Sequence, residues 1–214
     1  MHKSKKFIVV EGPIGVGKTT LAKKLANSLD SEILLENFLD NPFLHLFYND
    51  IERYALPTQL HFLLQRSNDF SKEKTDTINK KNIISDFFIN KDKLFAKAIL
   101  SNKEYKLYFD IYKALKLTIP SPDLVIYLQA DCNTLMNRIR KRGNNFENNL
   151  TEDYLKNIID AYTKYFYSYE DSPLLTINTS SVDINKESDY YILLQEIKKE
   201  SRGKNFFNPS TINL

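Results

Sequence analysis

Short apolar, β-branched runs alternate along this chain with longer stretches whose apolar positions recur every three or four residues. The first run, FIVVE at 7–11, is stopped by Gly12 and Pro13, the pattern of a strand buried on both faces. GKTTLAKKLANSL at 17–29 follows, with Leu21, Leu25 and Leu29 at helical spacing. EILLE at 32–36 predicts a second strand. Asn41-Pro42 then reads as a helix N-cap with proline at the first helical position. The segment 54–80 predicts one extended helix with Pro57 in its first turn. NIISDF at 82–87 is a third strand, and 91–116 is mostly helix, interrupted near Ser101-Asn102. DLVIYLQ at 123–129 is the clearest strand, and CNTLMNRIRKRG at 132–143 a helix ending at the left-handed cap Gly143. Thr151 opens a helix over 151–169, PLLTIN at 173–178 is the fifth strand, and 186–200 the last helix. Residues 201–214 show no period and read as a C-terminal tail behind a single domain spanning 1–200.

Five strands alternating with helices imply an α/β fold, a parallel sheet with helices on both faces. Right-handed crossovers place the ligand crevice beyond the carboxyl ends of the strands. The polar residues that follow the strands converge there: Gly12 to Thr19, Glu36, Ser85 with Asp86, and the stretch after Gln129.

GPIGVGKT at 12–19 fills the pattern G-x-x-x-x-G-K-S/T, after a strand and at the opening of a helix. Gly12, Gly15 and Gly17 let the backbone curl so that the N–H groups of Pro13's successors, Ile14 and Val16 among them, point at phosphate oxygens. The helix beginning at Lys18, Thr19 and Thr20 adds its positive end. Lys18 reaches β- and γ-phosphates, and the Thr19 hydroxyl is placed to ligate Mg²⁺. No N-K-x-D guanine reader is present, and no strand ends in Asp-Glu, so GTPase and motor ATPase readings drop out. A small phosphotransferase remains.

Glu36 ends the second strand beside this loop, where a carboxylate can position an attacking hydroxyl and take its proton. Gln59 and Arg66, seven apart, share one helix face, with Tyr48 upstream. A glutamine amide suits the edge of a nucleobase, and an arginine fork can pair with Glu36. Arg138 and Arg142 share a face of the RIRKRG helix end as candidate lid cations over donor phosphates, and Glu147 follows in the lid loop.

Composition narrows the partners. The chain has 214 residues, 42% hydrophobic and 27% charged, ordinary for a globular protein, with 30 Lys plus Arg against 27 Asp plus Glu. A net charge of +3 gives no case for nucleic acid, and KSKK at 3–6 and IKKE at 197–200 read as solvated faces. No apolar run approaches the ~20 residues of a membrane span, and Phe7 to Val10 is too short for a secretory leader. A single cysteine, Cys132, fits a reducing cytoplasm.

Four segments in this order and spacing resemble the deoxyribonucleoside kinase family, especially bacterial deoxyguanosine and deoxyadenosine kinases: FIVVEGPIGVGKTTLAKKL, LLENFLDNPFLHLFYNDIERYALPTQLHFLLQR, SDFFINKDKLFA and RIRKRGNNFENNLTEDYL, within 7–170. The resemblance implies a P-loop kinase fold with an arginine-bearing lid at about 138–150, and transfer of the ATP γ-phosphate to the 5′-hydroxyl of a deoxynucleoside, preferably a purine, in nucleotide salvage. It implies Glu36 as the base, Tyr48 and Glu147 on the sugar 3′-hydroxyl, Gln59 on the base, and Arg66 between base and Glu36. Arg138 and Arg142 become lid arginines, and a homodimer is implied. Ser85-Asp86-Phe87 departs from the family's frequent acid-Arg-Ser and leaves Asp86 as the candidate water-mediated Mg²⁺ ligand. Lys91 stands where an aspartate often reads the base, and Asn144 where a lid arginine is frequent. The rival readings are a thymidylate-kinase-like nucleoside monophosphate kinase and a non-catalytic nucleotide-binding subunit.

Overall fold

The computed structural model describes residues 7–69, 81–117, 120–199 and 202–208. Its sheet is fully parallel and has six strands in the order β2-β3-β1-β4-β5-β6. These are β1 (Phe7–Glu11), β2 (Glu32–Leu34), β3 (Ile83–Ser85), β4 (Leu124–Gln129), β5 (Leu174–Asn178) and β6 (Lys204–Phe207). The first five lie where the apolar runs predict them. The sixth corrects the reading of 201–214 as a tail. Lys204 to Phe206 are exposed, and Phe207 alone turns inward at 7% exposure, so this edge strand carries no apolar run to betray it. Its partner is the β5 edge, with Leu174 opposite Lys204 and Ile177 opposite Phe207.

β1 is buried at every position, as a central strand covered on both faces must be. The chain leaves β1 for β2, returns to β3 between them, then crosses to β4 on the far side of β1. That reversal opens the crevice at the carboxyl ends of β1 and β3.

The helices are α1 (Lys18–Ser28), α2 (Leu44–Phe47), α3 (Ile51–Asp69), α4 (Lys91–Ile99), α5 (Asn102–Ala114), α6 (Cys132–Arg142), α7 (Glu152–Tyr167) and α8 (Glu187–Lys198). α1 buries Leu21, Ala22, Leu25 and Ala26 against β1, β2 and β3. The break expected at Ser101 is a capping box: Glu104 N–H donates to Ser101 Oγ at 3.4 Å, and Ser101 N–H to Glu104 Oε2 at 3.0 Å. α6 ends on Gly143 at φ 71, and Thr151 caps α7, accepting from Tyr154 N–H at 3.2 Å.

Two local expectations shift. Asp50 Oδ1 accepts from Arg53 N–H at 3.1 Å and starts α3 early, so Pro57 lies in the second turn. Asn41 folds into a turn ahead of α2 instead of capping it, accepting from Phe43 N–H at 3.1 Å while its amide donates to Thr58 O at 3.0 Å. Residues 70–80, the far part of the extended helix expected over 54–80, lie outside the described residues, as does the lysine run at 3–6. Among the described residues no helix is long and apolar enough to cross a membrane.

Phe207 anchors β6, so Phe207→Ala should lower the unfolding free energy by about 2–4 kcal/mol in a urea titration. A loss under about 0.5 kcal/mol, the size of a surface substitution, would mean that β6 adds nothing to the sheet.

Candidate active site

The phosphate loop turns sharply out of β1 because Gly12 lies against β4. A Cβ there would sit 2.3 Å from the Leu128 carbonyl oxygen. Gly17, left-handed at φ 103, precedes α1 without a side-chain cap, so the first N–H groups of the helix face the crevice. Val16 is buried in the core and contributes its backbone to the loop. Lys18 Nζ folds back onto the loop, donating to Gly12 O at 2.7 Å and Pro13 O at 3.2 Å. Burial pushes the Lys18 ammonium below its usual range, and the nearby Glu11 carboxylate opposes that push.

Asp86, just past β3, joins the two sides of the crevice. Its Oδ2 accepts from Thr19 Oγ1 at 2.5 Å and its Oδ1 from the Glu36 N–H at 2.7 Å. The neighbours that replace the expected acid and serine have internal work. Ser85 Oγ donates to Phe87 O at 2.8 Å, and the Phe87 ring is buried, with the Arg66 guanidinium 5.9 Å from its centre.

Glu36, two residues past the end of β2 and not in the strand as the sequence predicts, lines the cavity beside the loop. Arg66 donates one arm of its fork to Glu36 and the other to Asp92. Lys91 Nζ donates to Glu36 Oε2 at 2.7 Å. Burial alone would raise the Glu36 carboxyl, but Arg66 and Lys91 hold it well below the usual carboxylate range. Gln59, at 5% exposure, lines the same cavity from the same helix, two turns before Arg66.

Tyr48, Phe146 and Glu147 close the other wall, with the rings of Tyr48 and Phe146 stacked at 6.4 Å. Burial, then the Glu147 carboxylate, push the Tyr48 hydroxyl above the usual phenol range, so it remains a donor. Arg142 reaches this wall: its Nη2 donates to Glu147 Oε1 at 2.5 Å, and Asn144 Nδ2 to Glu147 Oε2 at 3.1 Å. Arg138 faces the crevice over the phosphate loop, held by Thr179 through Nη1 to Oγ1 at 2.9 Å and Nη2 to the carbonyl at 2.7 Å. Thr20 lines the same stretch of the crevice.

The arrangement is an amide cradle at one end of a cavity lined by the carboxylates Glu36, Asp86, Asp92 and Glu147. Comparisons with known proteins identify the family. The family model for deoxynucleoside kinases matches residues 8–201. The chain belongs to the deoxynucleoside kinase family. It is 32% identical over 200 residues to a deoxyguanosine kinase of Bacillus subtilis, covering 90% of this chain and 96% of that one. A deoxyadenosine/deoxycytidine kinase of the same organism is also 32% identical over 200 residues, covering 89% and 91%. The solved deoxyadenosine kinase of M. mycoides with bound dATP superposes with a TM-score of 0.78 at 25% identity, covering 90% of this chain and all of that one. The chain is therefore a kinase, a phosphotransferase that binds nucleotides, on a P-loop kinase fold.

Within this kinase, Asp92, Glu11 and Thr179 are functional candidates that the sequence pattern misses, and Lys91 takes a different place from the one the resemblance implied. Asp92, at 1% exposure, takes the other arm of Arg66, and its Oδ2 is buried without a hydrogen-bond partner among the described residues. Lys91 faces Glu36 and not the base side expected of that position. Glu11, fully buried, accepts from Gly12 N–H at 2.9 Å, Phe88 N–H at 2.8 Å and the Tyr162 hydroxyl at 2.8 Å. Thr179 follows β5 at its carboxyl end, the one signal that could have found it.

Arg66 compensates the buried Asp92 and the half-buried Glu36 at once. Arg66→Met should cost about 3–5 kcal/mol at neutral pH, measured by urea denaturation. Glu36, with its value depressed in the folded state, stabilises the protein above the ordinary carboxylate value of about 4.3 and loses that contribution as the pH falls. The deficit of the variant should therefore narrow below about pH 4.

Proposed function

We propose that this kinase transfers the γ-phosphate of ATP to the 5′-hydroxyl of a deoxynucleoside, in nucleotide salvage in the cytoplasm. The observation that carries the reading is the Glu36 carboxylate, aimed into a cavity whose near end is the phosphate loop and whose far end is Gln59, Arg66 and Asp92. Gly12 to Thr20 and the lid arginines Arg138 and Arg142 bind the donor phosphates, and Lys18 swings from its own loop carbonyls to the β- and γ-oxygens. The primary alcohol donates to Glu36, which orients it in line and takes its proton as the new O–P bond forms. The Tyr48 hydroxyl and Glu147 are spaced across one wall to hold the sugar's 3′-hydroxyl. The Gln59 amide meets the base edge, with Asp92 Oδ2, which has no hydrogen-bond partner among the described residues, as a further acceptor for an amino group. Relatives named for deoxyguanosine and deoxyadenosine support a purine preference.

Thr19 Oγ1 and the Asp86 carboxylate, 2.5 Å apart, are oxygen donors of the kind that suits Mg²⁺, which takes one or two protein oxygens and completes its shell with phosphate and water. When bound, the metal neutralises charge between the β- and γ-phosphates.

A nucleoside monophosphate as acceptor would need free cations for its phosphate. Here Arg66 is shared between Glu36 and Asp92, and Lys91 is on Glu36. The family's dimer is proposed too: α3 and α5 pack together and expose Leu64 at 51% and Leu107 at 50%. Sedimentation of the pure protein should give twice the 25.0 kDa chain mass, and a monomer at micromolar concentration overturns the dimer.

A coupled ADP-release assay over the four deoxynucleosides and thymidine monophosphate tests the reaction. Turnover should depend on a purine deoxynucleoside; none with any deoxynucleoside ends the reading. Glu36→Gln should cut kcat by about 10²–10⁴-fold and leave ATP affinity near normal. An unchanged rate removes Glu36 from the chemistry.

A further inference from the structure

Lys91 is a buried lysine, 5% exposed, in the first turn of α4. A helix N-terminus is a poor place for a cation, because its dipole end is already positive. What holds Lys91 there is a pair of carboxylates from two other elements. Its Nζ donates to Glu36 Oε2 at 2.7 Å and lies 4.0 Å from Glu11 Oε2.

The two cations on Glu36 differ in kind. Arg66 divides its fork between Glu36 and Asp92, so it is tied to the far end of the cavity. Lys91 pairs with Glu36 and Glu11, beside the phosphate loop. Glu11, its second partner, is fastened to the root of the phosphate loop through the Gly12 N–H at 2.9 Å. Lys91 is also near enough for its charge to act on Lys18. Glu36 itself lies past the end of β2, so the sheet fixes neither its backbone nor its rotamer. Its N–H is held by Asp86 and its carboxylate by these two cations.

We propose that Lys91 is a positioning residue of the transfer step: it clamps the Glu36 carboxylate against the phosphate-loop root and supplies a second positive charge where the phosphoryl group meets the acceptor. The physical need is direct. A phosphoryl group moving toward a hydroxyl on Glu36 brings negative charge toward a carboxylate, and a lone carboxylate repels it. A fixed ammonium on Glu36 Oε2 offsets that repulsion and still leaves the carboxylate lone pairs to accept the hydroxyl. Asp86, Glu11, Asp92 and Lys18 are the other charges facing this junction.

The inference deepens the proposed function and rests on Glu36 being the acceptor-side carboxylate. Lys91→Met should lower kcat on the order of 10²-fold with the KM for ATP within about threefold, and Lys91→Arg should recover most of the loss. In the crystal structure of Lys91→Met, Glu36 should leave its present rotamer. The clamp is overturned by an unchanged kcat, by an arginine variant no better than methionine at unaltered thermal stability, or by Glu36 unmoved in the crystal. If Lys91→Met does not fold, Lys91→Gln takes its place in each measurement. Absence of wild-type turnover with every deoxynucleoside would refute the functional reading alone, since the crystal comparison still decides the clamp.

Discussion

A knot of buried charge at the carboxyl end of the sheet organises this protein. Glu11, Glu36 and Asp92 face Arg66 and Lys91 with little access to solvent. Taking such groups out of water costs several kcal/mol per ion after relaxation, and mutual attraction returns that only where the geometry is good and further hydrogen bonds complete it. Glu11 has three donors, and Arg66 bridges two carboxylates. Even so, Arg66 Nε and Asp92 Oδ2 are buried without partners among the described residues. An apolar plug would fill this space at less cost. The knot makes sense as a site kept short of full satisfaction so that a ligand can complete it.

The parts of the fold that sequence alone reveals are those whose causes are local. The phosphate loop is written in eight consecutive residues. Ser101, Gly143 and Thr151 mark helix ends through bonds to neighbours three or four positions away. Glu36 is found by a topological rule, since the crevice lies past the strand ends, and Gln59 with Arg66 by helical spacing. Asp92 and Lys91 are not found this way, because their meaning comes from Arg66 and Glu36, 26 and 55 residues distant. Both also open a helix where a polar residue is unremarkable. β6 fails for a related reason: an edge strand with one buried side chain has no pattern to show. Pro57 misleads because the aspartate that starts α3 lies seven residues before it, beyond the proline's own signal.

Strand order explains why so short a segment as 85–87 matters. β3 lies between β1 and β2, so the residue leaving β3 must emerge between the phosphate loop and Glu36. Asp86 occupies that point, with one oxygen on Thr19 and the other on the Glu36 backbone. Its flanking residues are turned away, Ser85 into the local turn and Phe87 into the core. A carboxylate at this position ties the phosphate-loop helix to the Glu36 backbone with a single side chain, which an exposed loop could not do with equal precision. The same topology sets the limits of substitution there. A longer side chain at 86 would collide with Thr19 or push Glu36 off its backbone anchor, and a side chain without two acceptor oxygens would hold one side and release the other.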